Sequence, residues 1–218
     1  MLLRSVLPGV LACLALSAVP AQAAGADEEV VLPLSDAIAS LSVAEEDRAG
    51  YERAAFRNWV DADGDGCDTR REVLLAEAVI APTVSGRCVL SGGQWFSWYD
   101  DAVVEGAAGL DIDHLVPLAE AWDSGASTWD AEMRERYAND LGDPRSLLAV
   151  TAKANRSKGD KDPVHWMPPA AHAACRYVAD WTAVKIRWQL SADPVEVAVL
   201  SATAAGCGDV TVRVKPAG

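Results

Sequence analysis

Asp111-Ile112-Asp113-His114-Leu115-Val116-Pro117-Leu118 sets a carboxylate beside an imidazole at the end of a short apolar segment. A second reactive run follows downstream: Lys153-Ala154-Asn155-Arg156-Ser157-Lys158-Gly159-Asp160-Lys161, an amide among cations. Together these residue types suit hydrolysis of a phosphodiester, which needs an activated water and stabilised charge on the leaving oxygen. A neutral imidazole can take the proton, because its ordinary pKa of about 6.5 leaves much of it unprotonated near pH 7. A hard divalent ion can stabilise the leaving oxygen as a Lewis acid. Such an ion keeps several waters, so one carboxylate and one amide carbonyl suffice to anchor it. The expected roles are His114 as general base and Asp113 and Asn155 as metal ligands. Arg156 or Lys158 would hold the non-bridging phosphate oxygens, and Gly159 would let the backbone approach them.

These side chains need a scaffold. Leu110 to Val116 reads as a strand ending at the Asp-His pair, and Ser146 to Thr151 as a second apolar strand. Ala152 to Gly159 then begins a helix, so strand, excursion, strand and helix form a ββα unit. Ser42-Val43-Ala44-Glu45 is a capping box that predicts a helix to about Trp59. Further helices are expected over 69–80, 117–122, 128–141 and 169–190, and one opens at Asp193-Pro194-Val195-Glu196, where an N-cap precedes a proline. Residues 89–104 read as strands joined by turns. The expected architecture is α+β: a mainly helical single domain around the ββα core.

Met1 to Ala24 has the form of a secretory signal, with Arg4, an apolar run from Val6 to Val19 and Ala21-Gln22-Ala23 before the cut. That run falls short of the ~20 residues of a membrane span. Residues 25–41 read as a linker and 42–215 as the domain. Removing Arg4 with the leader takes the net charge from −13 to −14. This is the wrong sign for a protein that stores nucleic acid. Between Arg145 and Lys161, however, five cations face Asp160 alone, which suits transient contact with a polyanion. Cys67, Cys88, Cys175 and Cys207 remain in an oxidising compartment, implying two disulfides. Four cysteines allow three pairings, and proximity favours Cys67–Cys88 and Cys175–Cys207.

The pattern Asp-His-x-x-Pro-Leu, then Val150-Thr151-x-x-x-Asn155-x-Ser157-Lys158-Gly159-Asp160, resembles the HNH (ββα-metal) endonucleases. It is most similar to secreted bacterial members related to the C-terminal domain of GmrSD-type restriction enzymes. The likeness takes in Trp59-x-Asp61-x-Asp63-Gly64-Asp65-Gly66-Cys67-Asp68-Thr69-Arg70 and Asp162-Pro163-x-x-Trp166-x-Pro168-Pro169. The resemblance implies Asp113 and Asn155 as metal ligands and His114 as base. The middle Asn of the family pattern falls near Ser146, so its structural role passes to Asn139 or is unfilled.

Asp61, Asp63, Asp65, Gly66 and Glu72 fit a calcium-loop pattern, although Asp68 stands where such loops carry an apolar residue. Two readings stay open: a structural Ca²⁺, or an acidic loop braced by Cys67–Cys88 with Arg70 reaching toward the phosphate. Trp181 and Trp188 have core spacing, while Trp95 and Trp98 are undecided between core and base stacking. His165 and His172 lack reactive neighbours and read as structural or surface residues.

The expected protein is therefore a secreted, monomeric nuclease that uses Mg²⁺ or Mn²⁺ on DNA, with RNA left open and little sequence preference. The rival is a non-catalytic, calcium-stabilised extracellular binding domain with a decayed site. A zinc hydrolase would need more ligands than three scattered histidines supply.

Overall fold

The computed structural model describes residues 28–218. The leader expected over residues 1–24 lies outside them. Among the described residues no helix is long and apolar enough to cross a membrane.

The described residues begin with β1 (Val30–Pro33) and α1 (Leu34–Ala39). Next come α2 (Thr69–Ala76), β2 (Thr83–Ser85), β3 (Val89–Ser91), β4 (Gln94–Ser97) and β5 (Ala102–Glu105). The central stretch holds β6 (Leu110–His114), α3 (Leu118–Asp123), α4 (Ala131–Ala138), β7 (Leu147–Thr151) and α5 (Ala152–Lys158). It closes with α6 (Ala174–Trp188), α7 (Pro194–Ala204) and β8 (Thr211–Val214). The strands form four antiparallel pairs: β1 with β8, β2 with β3, β4 with β5, and β6 with β7.

Mixed α+β content is as expected, but helix dominates less than the sequence suggests. The capping box at Ser42 opens no helix. Ala44 N–H instead bonds the Ala192 carbonyl, Arg48 pairs with Asp123, and Gly50 turns the chain at a φ of 73°. Only a 3-10 turn at Arg53–Ala55 remains, because tertiary pairing outweighs local propensity. The linker expected over 25–41 also needs correcting. β1 pairs in register with β8, and Leu34, Ala37 and Ile38 are buried in the main core. That pairing joins the two ends of the described chain, so neither strand has a local partner to reveal it.

The β6–β7 ladder sits between two cores. Leu110, Ile112, Leu147 and Ala149 pack with Val73, Leu74 and Trp95 on one side. Leu148 and Val150 face the larger core of Tyr99, Tyr137, Tyr177, Trp181 and Trp188 on the other. Burial on both faces explains why Leu147 to Val150 is continuously apolar rather than alternating. Trp95 and Trp98 are buried too, Trp95 donating to the Leu74 carbonyl at 2.7 Å, so neither is a stacking platform. The disulfides are Cys67–Cys88 and Cys175–Cys207. The first braces the acidic loop; the second ties α6 to the end of α7.

Candidate active site

β6 and β7 pair antiparallel with Asp113 opposite Leu148 and His114 opposite Leu147. Successive side chains on a strand alternate faces. Asp111 and Asp113 therefore point toward α5, while His114 points the other way at the strand end. Thr151 starts α5 by accepting the Ala154 N–H at 3.1 Å, and its own hydroxyl donates to Asp100 at 2.6 Å. Gly159 ends α5 at a φ of 58°, a conformation a side chain would strain. A Cβ there would meet no protein atom closer than 4.0 Å, so the backbone conformation by itself calls for glycine at this edge of the cleft.

A cleft of about 210 Å³ opens where these elements meet, lined by Arg53, Asp113, His114, Asn155, Arg156, Gly159 and Asp160 together with Ile112, Pro117 and Leu118. Asp113, His114, Asn155 and Arg156 are thus brought together as the sequence spacing suggests. Arg53 and Asp160 join them; Arg53 sits on the 3-10 turn, far upstream of either motif.

His114 is only 6% exposed. Its Nε2 lies 2.9 Å from the Ala138 carbonyl. The ring packs against Trp59, with centroids 5.7 Å apart, and stacks with Tyr137 at 6.4 Å. Burial pushes its pKa down to about 4; the Ala138 hydrogen bond opposes the shift, and the Arg53 and Lys158 charges add to it. The ring is neutral at pH 7. A carbonyl can only accept, so Nε2 carries the hydrogen and Nδ1 keeps its lone pair.

The bond depends on a brace that the sequence left between two candidates. The Asn139 side chain accepts from the Val60 N–H at 3.0 Å and the Thr69 hydroxyl at 2.8 Å. It donates to the Arg57 and Glu135 carbonyls, both at 2.8 Å. Four bonds from one amide fix Ala138, its neighbour, and the segment carrying Trp59. Trp59 itself is held at a φ of 59°, unusual for a bulky residue. Ser146 instead donates to Asp140 at 2.6 Å and touches none of this.

Lys158 differs from its expected role. It is 0% exposed, and its ammonium donates to Asp113 Oδ1 at 2.8 Å and the His114 carbonyl at 2.9 Å. One helical turn after Asn155, it lies on the same face of α5 above β6, where it neutralises Asp113 and is not free to seat a phosphate. Asp113 Oδ2 accepts from the Tyr99 hydroxyl at 2.7 Å. Burial pushes Asp113 up and Lys158 down, while their mutual attraction opposes both shifts. Arg156 stays on the surface, its Nε 3.3 Å from Asp111, with a side chain 76% exposed.

Hard oxygen donors suited to a small divalent ion are present. Each Asp113 oxygen has one protein donor and retains a lone pair. Asn155 donates to Asp111 through Nδ2 at 3.2 Å, so its Oδ1 is not consumed by that bond. Among the described residues, the groups of three close His, Cys, Asp or Glu ligands contain no histidine. His165 pairs with Asp162, and His172 lies 3.3 Å from Asp101, both outside the cleft.

Asp61, Asp63 and Asp65 gather their carboxylates on the 61–68 loop. Asp61 accepts from Gly64 and Gly66 N–H groups, and Asp65 from that of Cys67. Asp68 caps α2 through the Arg71 N–H. Arg70 does not reach toward the cleft: it donates to the Leu110 carbonyl at 3.0 Å and secures the start of β6.

The sequence model described as GmrSD restriction endonucleases, C-terminal domain, matches residues 82–193. Among curated proteins, an uncharacterized secreted protein from Arthroderma benhamiae is 40% identical over 158 residues, covering 72% of this chain and 76% of that protein. No solved structure matches the chain.

Proposed function

The chain belongs to the family of GmrSD restriction endonuclease C-terminal domains, and from that premise we propose that it is a secreted, metal-dependent HNH-type endonuclease. The observation that carries this reading is a neutral His114, held through Nε2 by Ala138, in one cleft with Asp113 and Asn155. The β6–β7–α5 unit supports the HNH assignment. Secretion is supported by the two disulfides and by the description of the Arthroderma benhamiae relative as a secreted protein.

In this reading His114 Nδ1 takes a proton from water as the water oxygen bonds to phosphorus. The bond from phosphorus to one nucleoside oxygen then breaks. Asp113 and Asn155 would hold one Mg²⁺ or Mn²⁺, which supplies Lewis-acid stabilisation of the departing oxygen. Lys158 and Tyr99 orient the Asp113 carboxylate, and Arg156 meets the backbone at the rim. Among the described residues nothing resembles an added base-reading module, so cleavage is expected to have little sequence preference. The acidic loop, tied down by Cys67–Cys88, braces the segment carrying Trp59, and a structural Ca²⁺ at Asp61, Asp63 and Asp65 is the alternative role for its carboxylates.

Digestion of matched single- and double-stranded DNA and RNA by the mature protein, with Mg²⁺, Mn²⁺ or EDTA, tests the proposal. Metal-dependent cleavage of DNA is expected, and intact substrates under every metal condition would overturn it. A non-catalytic calcium-stabilised domain would leave all four substrates whole.

A further inference from the structure

We infer that Arg53 is the cation that seats the scissile phosphate, contacting the substrate from the wall of the cleft formed by the upstream 3-10 turn. The inference rests on the nuclease reading and assigns a role that neither sequence motif points to. The cleft needs such a group. A phosphate positioned for attack carries charge on its non-bridging oxygens, and charge-assisted bonds from a guanidinium are the strong way to hold it. Lys158 is spent on Asp113 inside the protein. Arg156 lines the cleft but points largely into solvent and is paired with Asp111.

Arg53 is the other cation on the lining, and among the described residues it has no carboxylate within ion-pair distance. It shares the cleft with His114 and Asn155, so a phosphate between base and ligand lies in its field. Apart from the Tyr51 hydroxyl beside it, this guanidinium on the cleft of an otherwise acidic protein has no structural pairing to account for it. Its planar fork can bind two oxygens at once, which a lysine ammonium cannot reproduce.

The test compares Arg53→Ala and Arg53→Lys with Arg57→Ala, an exposed arginine nearby that pairs with Glu135 and does not line the cleft. Two readouts are needed. The first is metal-free binding of a short fluorescein-labelled single-stranded DNA in a His114→Ala background, which needs no turnover. Arg53→Ala should weaken binding about tenfold or more, and Arg57→Ala by less than about threefold. The second is turnover with Mg²⁺. Arg53→Ala should lose about 10²–10³-fold in kcat, Arg53→Lys should recover only part, and added guanidinium should restore part of the Arg53→Ala loss. Arg53→Ala that binds and cleaves like Arg57→Ala, or a loss that guanidinium leaves untouched, overturns the inference. If the parent protein cleaves nothing, the nuclease reading fails, and the binding comparison still decides whether Arg53 seats a phosphate.

Discussion

His114 Nε2 lies 2.9 Å from the Ala138 carbonyl, and that bond sets which ring nitrogen is free to act as a base. Strand β6 brings the imidazole and the end of α4 brings the carbonyl. What holds them together is Asn139, whose side chain makes four hydrogen bonds.

Asn139→Ala should therefore damage the site as well as the fold. Bonds of this kind contribute about 1 kcal/mol each and cost more when a buried partner is left unmade. The expected loss is about 2–4 kcal/mol in denaturant unfolding, together with a drop in kcat of at least about tenfold in the protein that remains folded. Ser146→Ala removes one bond to Asp140 and should cost about 1 kcal/mol while leaving kcat within about threefold. Equal activity losses in the two variants would show that Asn139 has no special hold on the base.

Lys158 and Arg156 are predicted to separate cleanly. Lys158→Met strands the buried Asp113 carboxylate and should destabilise the protein by about 3–5 kcal/mol. Arg156→Ala should leave stability within about 0.5 kcal/mol, because its exposed pair with Asp111 is worth little. It should instead lower the salt slope of DNA binding by about one. A stable Lys158→Met protein with a reduced salt slope would return the phosphate role to Lys158.

Glu196 gives the fold an unusual pH response. Its carboxylate and that of Glu120 share the buried Lys185 ammonium, at 2.6 and 2.9 Å. Trp181 also donates to Glu196. Burial raises the Glu196 pKa from 4.5 to about 7, with Lys185 opposing the shift and Glu120 adding to it. The folded state thus binds more protons than the unfolded chain between those values. Stability from this group is full below about pH 4.5 and is lost as pH rises through about 7. Glu77, also pushed up to about 7 by burial, acts in the same direction. His114, lowered from 6.5 to about 4 by burial, acts the opposite way as pH falls below about 6.5, and Asp143, held low by Arg145 against the burial that raises it, does so below about pH 4. The Glu196 contribution is on the order of 3 kcal/mol. Chemical denaturation from pH 8 to pH 5 should show the stability of wild type rising relative to that of Glu196→Gln. Parallel curves for the two proteins would contradict this account.

Much of the site was legible because its residues are local. Asp113 and His114 close one strand, Asn155 follows another, and both strands have compact apolar signatures. The inward turn of Lys158 was not legible, since the Lys/Arg-rich run around it reads as a solvated surface. Helical geometry places it over Asp113 only once α5 is docked on β6. Arg53, Trp59 and the Ala138 carbonyl come from segments distant in sequence, and a backbone carbonyl leaves no trace in residue type. β1 and β8 pair across nearly the whole described chain, and so a stretch that looks like linker belongs to the core. The lost helix after Ser42 has the same cause: its caps were present, but Ala192 and Asp123 supplied better partners.

The central claim is that His114 is the base of a metal-dependent nuclease. The most direct measurement is plasmid cleavage with Mg²⁺ by mature wild type and His114→Ala, with EDTA controls and circular dichroism to verify folding. Wild type should nick and linearise the plasmid only with metal, and folded His114→Ala should be slower by about 10²-fold or more. His114→Ala cleaving at the wild-type rate would contradict the account.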